Sequence, residues 1–129
     1  MKTFSKVLVF IVLLISGCSQ TSTKGSKDFT EIVGDISVSS IEVTDGRSGK
    51  QYSITEKEKI QNFNKLLNGK KYKKIKNPEN VKGYIYNAVL YSGKKENYIT
   101  FLDNEIKIDD TYYSLDKPIS VQDISNILK

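Results

Sequence analysis

Apolar and polar positions along the chain fall into three regimes. Val7 to Ile15 (VLVFIVLLI) is an unbroken apolar run of nine residues. Ser19 to Lys27 (SQTSTKGSK) contains no apolar residue. From Phe29 onward the two kinds interleave at strand and helix periods, as in a folded domain. Ile36 and Val38 alternate with polar neighbours, and Ile41 and Val43 do so in the other phase. The switch at Ser39-Ser40 predicts a bulge, or a strand that starts at Ser40. Asp45 to Lys50 (DGRSGK) has turn composition, and Gln51 to Ile54 completes a hairpin.

A helix is predicted next. Thr55-Glu56-Lys57-Glu58 has the spacing of a capping box, in which a hydroxyl and a carboxylate satisfy each other's backbone N–H groups. Ile60, Phe63, Leu66 and Leu67 then share one face, and Gly69 stands where a helix would stop. Glu58 near the start and Lys65 near the end suit the helix dipole. After a loop at Asn77-Pro78-Glu79-Asn80, four strands are predicted: Tyr84 to Tyr91, Tyr98 to Leu102, Glu105 to Asp109 and Tyr112 to Leu115. The turns between them are short, so their pairing is antiparallel. Pro118 breaks the run, and Ser120 caps a last helix with Val121, Ile124, Ile127 and Leu128 on its apolar face. The expected order is β-β-α-β-β-β-β-α. The fold class is α+β: an antiparallel sheet, made of a hairpin and a Tyr-rich meander, with two helices packed on one face.

The apolar run near the N-terminus changes the picture. Nine helical residues rise about 14 Å, against a bilayer core of roughly 30 Å, too short to span alone. Lys2 and Lys6 precede it and the small residues Ser16 and Gly17 follow, an arrangement suited to a secretory leader. Ile15-Ser16-Gly17-Cys18 resembles the lipobox of bacterial lipoproteins. The resemblance implies diacylglyceryl transfer to the Cys18 sulfur and cleavage before it, a chemistry that needs a thiol nucleophile there. The expected organisation is a signal peptide over 1–17, a lipid-anchored cysteine with a flexible tether over 18–27, and one globular domain over 28–129. The expected location is the outer face of the cell membrane. The hairpin, the helix ending in Leu66-Leu67-Asn68-Gly69, the Tyr-rich meander and the terminal helix resemble small uncharacterised lipoprotein domains of low-GC Gram-positive bacteria. That resemblance brings no catalytic residues with it.

Charge and composition then narrow the chemistry. The 129 residues suit one domain. The formal charge is +5, and removing residues 1–17 takes away two lysines and no acid, leaving +3. A mildly basic chain with a single arginine, Arg47, is a poor nucleic-acid binder, so no nucleic-acid partner is expected. There is no histidine and only one cysteine. Ser-His and Cys-His catalysis, histidine metal sites, a cysteine-ligated zinc site and an intrachain disulfide are therefore excluded. Asp103, Glu105, Asp109 and Asp110 lack the spacing of a calcium loop and read as turn chemistry. No metal, cofactor or enzymatic activity is expected.

Two surface features remain. Lys70, Lys71, Lys73, Lys74 and Lys76 put five lysines into seven residues. They suit contact with anionic wall polymer or membrane, or a solvated connector with Tyr72 and Ile75 tucked inward. The second is aromatic. In the first meander strand Tyr84, Tyr86, Ala88 and Leu90 face one way, and Ile85, Asn87, Val89 and Tyr91 the other. Neither face is clearly polar. Tyr84, Tyr86 and Tyr98 are the expected interaction patch, on the sheet face opposite the helices. The expected function is a membrane-anchored, non-enzymatic protein-interaction module of accessory, inhibitory or immunity type. The alternative is binding of anionic polymer or membrane through the lysines.

Overall fold

Ile41, Val43, Ala88, Leu90, Ile99, Ile106 and Ile108 are all sealed from solvent, and the residues alternating with them are not. Cross-strand register explains this. Val43 lies opposite Ala88, Ala88 opposite Ile99, and Ile99 opposite Ile108, so the apolar positions form rows on one side of a single sheet. The computed structural model describes residues 25–78 and 83–129. The signal peptide, Cys18 and most of the tether lie outside the described residues, as do Glu79 and Asn80 of the loop.

The elements are β1 (Ser26–Asp28), α1 (Phe29–Val33), β2 (Ser40–Asp45), β3 (Gln51–Ile54), α2 (Lys57–Asn68), β4 (Lys71–Lys74), β5 (Tyr86–Ser92), β6 (Lys95–Phe101), β7 (Ile106–Ile108), β8 (Thr111–Leu115) and α3 (Val121–Leu128). The fold is α+β. Its eight-stranded antiparallel sheet runs in the order β1-β4-β8-β7-β6-β5-β2-β3. Three helices close one face. Phe29 and Val33 of α1, Ile60, Phe63 and Leu67 of α2, and Ile124 of α3 join the buried strand residues in one core. Phe63 meets Phe101 edge-on at 6.1 Å between ring centroids. The other face carries no helix among the described residues.

Several elements follow the sequence pattern. β2 starts at Ser40, β3 spans Gln51–Ile54, and the meander has four strands. Ser120 caps α3 with a reciprocal pair: Asp123 N–H donates to Ser120 Oγ, and Ser120 N–H to the Asp123 carboxylate, each across 3.0 Å. Gly93, at φ 60°, makes the tight β5–β6 turn that an L side chain would strain.

Four expectations are corrected. First, Thr55 is not the cap of α2. The N-cap is Glu56, which places Thr55 one residue too early for its hydroxyl to reach the first helical turn. Second, Gly69 ends α2 after Asn68 as expected, but at φ −79° and not in the left-handed conformation of a glycine stop. Third, residues 26 and 27 belong to β1 and not to the tether, because β4 pairs with them: Ser26 opposite Lys73, Lys27 opposite Tyr72. The short α1 follows at once and buries Phe29 and Val33, one helical turn apart. Fourth, the middle of the lysine stretch, Lys71–Lys74, is a strand. Tyr72 is fully buried, with rings of Phe29 and Tyr113 about it at 6.0 and 6.1 Å. One inward tyrosine between outward lysines is strand alternation, and it makes β4 the bridge between β1 and β8.

Candidate interaction site

The two sides of β5 divide as its alternation predicts, but the side that carries Tyr86, Ala88 and Leu90 is the buried one, and the open face is built by Asn87, Val89 and Tyr91. Tyr86 is 2% exposed and belongs to the core, under the helices, beside Ala88 and Leu90. Tyr98 is 47% exposed and lies opposite Val89 on the other face. Tyr84 is 41% exposed, and its ring packs at the sheet's end over Gly46. The three tyrosines therefore do not form one patch. The reason is register: the β5–β6 turn pairs Ser92 with Lys95, which sets Tyr98 against Val89 and Tyr91 against Glu96.

What the open face does carry is a second set of tyrosines held by hydrogen bonds. Tyr91 donates to Glu42 Oε2 across 3.0 Å, from β5 to β2. Tyr98 donates to Glu96 Oε2 across 2.6 Å along β6. Both phenols are pushed above their ordinary range, chiefly by these carboxylate acceptors. Ser53, Glu42, Val89 and Tyr98 form one cross-strand row. Thr44, Asn87, Thr100, Lys107 and Tyr112 form the next. There Thr100 Oγ1 donates to Asn87 Oδ1 across 3.1 Å, and the Lys107 ammonium sits over the Tyr112 ring, 5.4 Å from its centroid. The result is a mixed aromatic and charged surface whose side chains are pinned before any partner arrives.

No protein-family model, curated protein or solved structure matches the chain. Its surfaces must be judged on their own chemistry.

Asp109 fixes one border of this face. It holds φ 51°, a left-handed conformation at the β7–β8 turn. Its carboxylate accepts from Tyr98 N–H at 2.9 Å and from Asn97 Nδ2 at 3.1 Å. Asn97 is buried, and its Oδ1 has no partner among the described residues. Asp109 is thus a structural acid of the turn. No group of three or more Asp, Glu, His or Cys side chains among the described residues is placed to hold a metal ion.

Arg47, the single arginine of the chain, has a structural role at the β2–β3 turn. Its Nε and Nη2 grip both oxygens of Asp45 at 3.1 and 2.9 Å, and Nη2 also donates to the Tyr86 hydroxyl at 2.8 Å. Arg47 thus locks the β2–β3 turn onto the core tyrosine. Its guanidinium holds the Asp45 carboxyl below the usual carboxylate range. Lys50 covers the Tyr52 ring at 5.0 Å in the same corner, and Ser125, Leu128 and Lys129 line the open hollow beside it.

The lysines separate into an engaged pair and an exposed, unpaired set. Lys71 is ion-paired with Asp28 at 2.5 Å, and its N–H donates to Asp116. Lys70 reaches the Pro118 carbonyl at 3.5 Å. Lys73, Lys74 and Lys76 are exposed and form no ion pair among the described residues.

Proposed function

We propose that this chain is a lipid-anchored extracytoplasmic protein whose domain is a non-enzymatic interaction module. The anchor rests on the Ile15-Ser16-Gly17-Cys18 lipobox and the leader before it. The module rests on one observation: the helix-free face of the sheet presents Tyr91, Tyr98 and Tyr112 among fixed charges. Tyrosines held in place give contact area at little entropic cost on binding. Their carboxylate partners and Lys107 add polar specificity around the rings. The partner class is a protein at the membrane surface. A short tether holds the domain at high effective concentration near such a neighbour, so a modest patch suffices.

A photo-crosslinking residue placed at Tyr98 in the lipidated protein tests this in native membranes. The reading expects one discrete crosslinked protein. Purified, that protein should bind the native domain and fail to bind a Tyr91→Ser, Tyr98→Ser variant that keeps its fold. Equal binding by that variant would remove the open face from the reading. Catalysis by the isolated domain would remove the non-enzymatic part.

A further inference from the structure

The basic strand and the anchored end of the chain lie side by side, although 43 positions separate Asp28 from Lys71 in sequence. β1 follows the tether directly, and β4 is its only neighbour in the sheet among the described residues. Seven residues lie between Cys18 and Ser26, a reach of at most about 29 Å fully extended. The sheet is eight strands wide, or roughly 34 Å from β1 to β3 at the usual strand spacing. A lipid on Cys18 therefore keeps the β1 edge near the bilayer and leaves the β3 edge farthest from the point of attachment.

Charge is concentrated at that same edge. Ser26–Asp28 and Lys70–Lys76 together hold Lys27 and the five lysines of the stretch against one acid, Asp28, a net +5. The chain from Cys18 onward totals +3, so everything else in it sums to −2. The acids close to the edge are Asp28, ion-paired with Lys71; Glu31, whose carboxylate accepts from the Asp28 N–H; Asp116, which accepts from the backbone N–H groups of Lys71 and Lys117; and Asp110 at the β7–β8 turn beyond Lys76. Lys27, Lys73, Lys74 and Lys76 keep their charges free of any ion pair among the described residues.

We infer that the β1–β4 edge docks on the headgroups of an anionic bilayer, with Lys27, Lys73, Lys74 and Lys76 as the contact. This rests on the anchor reading above and adds an orientation to it. The basic edge faces the membrane, and β2, β3 and the part of the open face that carries Tyr91 and Tyr98 stand clear for a protein partner. Each lysine near such a surface raises local binding about fivefold at low salt. The lipid supplies attachment, and the lysines supply direction.

The test uses the mature lipidated protein, its acylation on Cys18 verified by mass. It is placed in vesicles of phosphatidylcholine, with and without phosphatidylglycerol, and its lysines are acetylated with a water-soluble reagent. Lys27, Lys73, Lys74 and Lys76 should react roughly fivefold more slowly in the anionic vesicles, with Lys50, Lys57 and Lys107 unchanged. High salt should erase the protection. A Lys73→Gln, Lys74→Gln, Lys76→Gln variant should stay attached and lose the protection of Lys27. Equal reactivity in both vesicles, by a protein that carries the lipid, would overturn the docking and leave the anchor standing. Stronger protection by soluble polyglycerol phosphate than by vesicles would overturn it in favour of a wall polymer. A Cys18 without acyl chains would sink the anchor and the docking together.

Discussion

Tyr72 donates its hydroxyl proton to the backbone carbonyl of Leu67 across 2.7 Å, tying β4 to the last turn of α2. Carbonyls in a last helical turn have no partner within the helix, and this one is met by a side chain from the next strand. Tyr72→Phe leaves that carbonyl buried and unpaired, at a cost of about 1–3 kcal/mol. Burial also pushes the Tyr72 phenol well above its ordinary value. The folded state then holds the proton more tightly than the unfolded chain. Stability should fall as pH rises past the unfolded tyrosine value, about 10. Chemical denaturation across alkaline pH checks both points. The Tyr72→Phe protein should be weaker at neutral pH and show a flatter alkaline decline.

Gly46 is irreplaceable for a steric reason. A Cβ built on it would stand 2.1 Å from the Tyr84 carbonyl oxygen, a backbone atom that cannot move aside. The Gly46 N–H also donates to the Ile85 carbonyl, which holds the two segments in contact. Gly46→Ala should cost about 3 kcal/mol, at the upper end for overpacking. Thermal unfolding measures it, and a cost below about 0.5 kcal/mol would show that the contact between turn and Tyr84 is loose.

The lone arginine gives an acid-limb prediction. Arg47 holds Asp45 below its ordinary value, first through their side-chain hydrogen bonds. A depressed carboxyl contributes stability above the unfolded aspartate value and loses it as pH falls through the folded one. In Arg47→Gln the Asp45 carboxyl loses its main support. Its acid unfolding limb should begin at higher pH than in the native protein. Superimposable acid limbs would mean that the pair contributes nothing.

Much of the fold was legible because its local signals agree with its tertiary ones. β2, β3, the four meander strands and α3 follow from alternation, turns and a capping box. The misses have particular causes. Five lysines in seven residues mask the strand around Tyr72, because a four-residue strand with one inward ring carries too little alternation to stand out from a charged connector. β1 and α1 were lost because Ser26, Lys27 and Asp28 carry no strand signal of their own, and only pairing with β4 orders them. The Tyr84, Tyr86 and Tyr98 patch failed where it was in fact decidable. A two-residue turn at Gly93-Lys94 pairs positions that sum to 187, so Tyr98 had to face Val89 and not a buried even-numbered neighbour. Tyr91 and its Glu42 acceptor needed the β2–β5 register, which no local signal supplies.

Within α2, position decides the size of the effect. Leu67 is fully buried and Leu66 only partly so, although both lie on the apolar side of the helix. Leu67→Ala should cost about 3–5 kcal/mol, with a cavity left beneath it. Leu66→Ala should cost about 1–2 kcal/mol, since solvent already reaches it. Denaturant titration of the two variants gives the comparison, and equal costs would mean that the helix is rotated about its axis.

Two tyrosines on neighbouring strands give the sharpest contrast. Tyr86 on β5 is enclosed by the core, and its hydroxyl accepts from Arg47. Tyr98 on β6 points the other way, nearly half exposed, with Glu96 as its acceptor. Tyr86→Ser removes a buried ring and strips Arg47 of a partner, so it should cost about 3–5 kcal/mol and unfold a marginal domain. Tyr98→Ser removes surface area only, and stability should stay within about 0.5 kcal/mol. Its backbone N–H still donates to Asp109, so the β6–β7 border survives the change. Partner binding should show the reverse order: lost in the folded Tyr98→Ser protein, and lost in Tyr86→Ser only to the extent that it unfolds. Circular dichroism and binding measured on the same samples separate the two effects. A Tyr98→Ser protein that unfolds would make the open face structural. A Tyr86→Ser protein that stays folded and alone loses the partner would move the contact to the Arg47 corner.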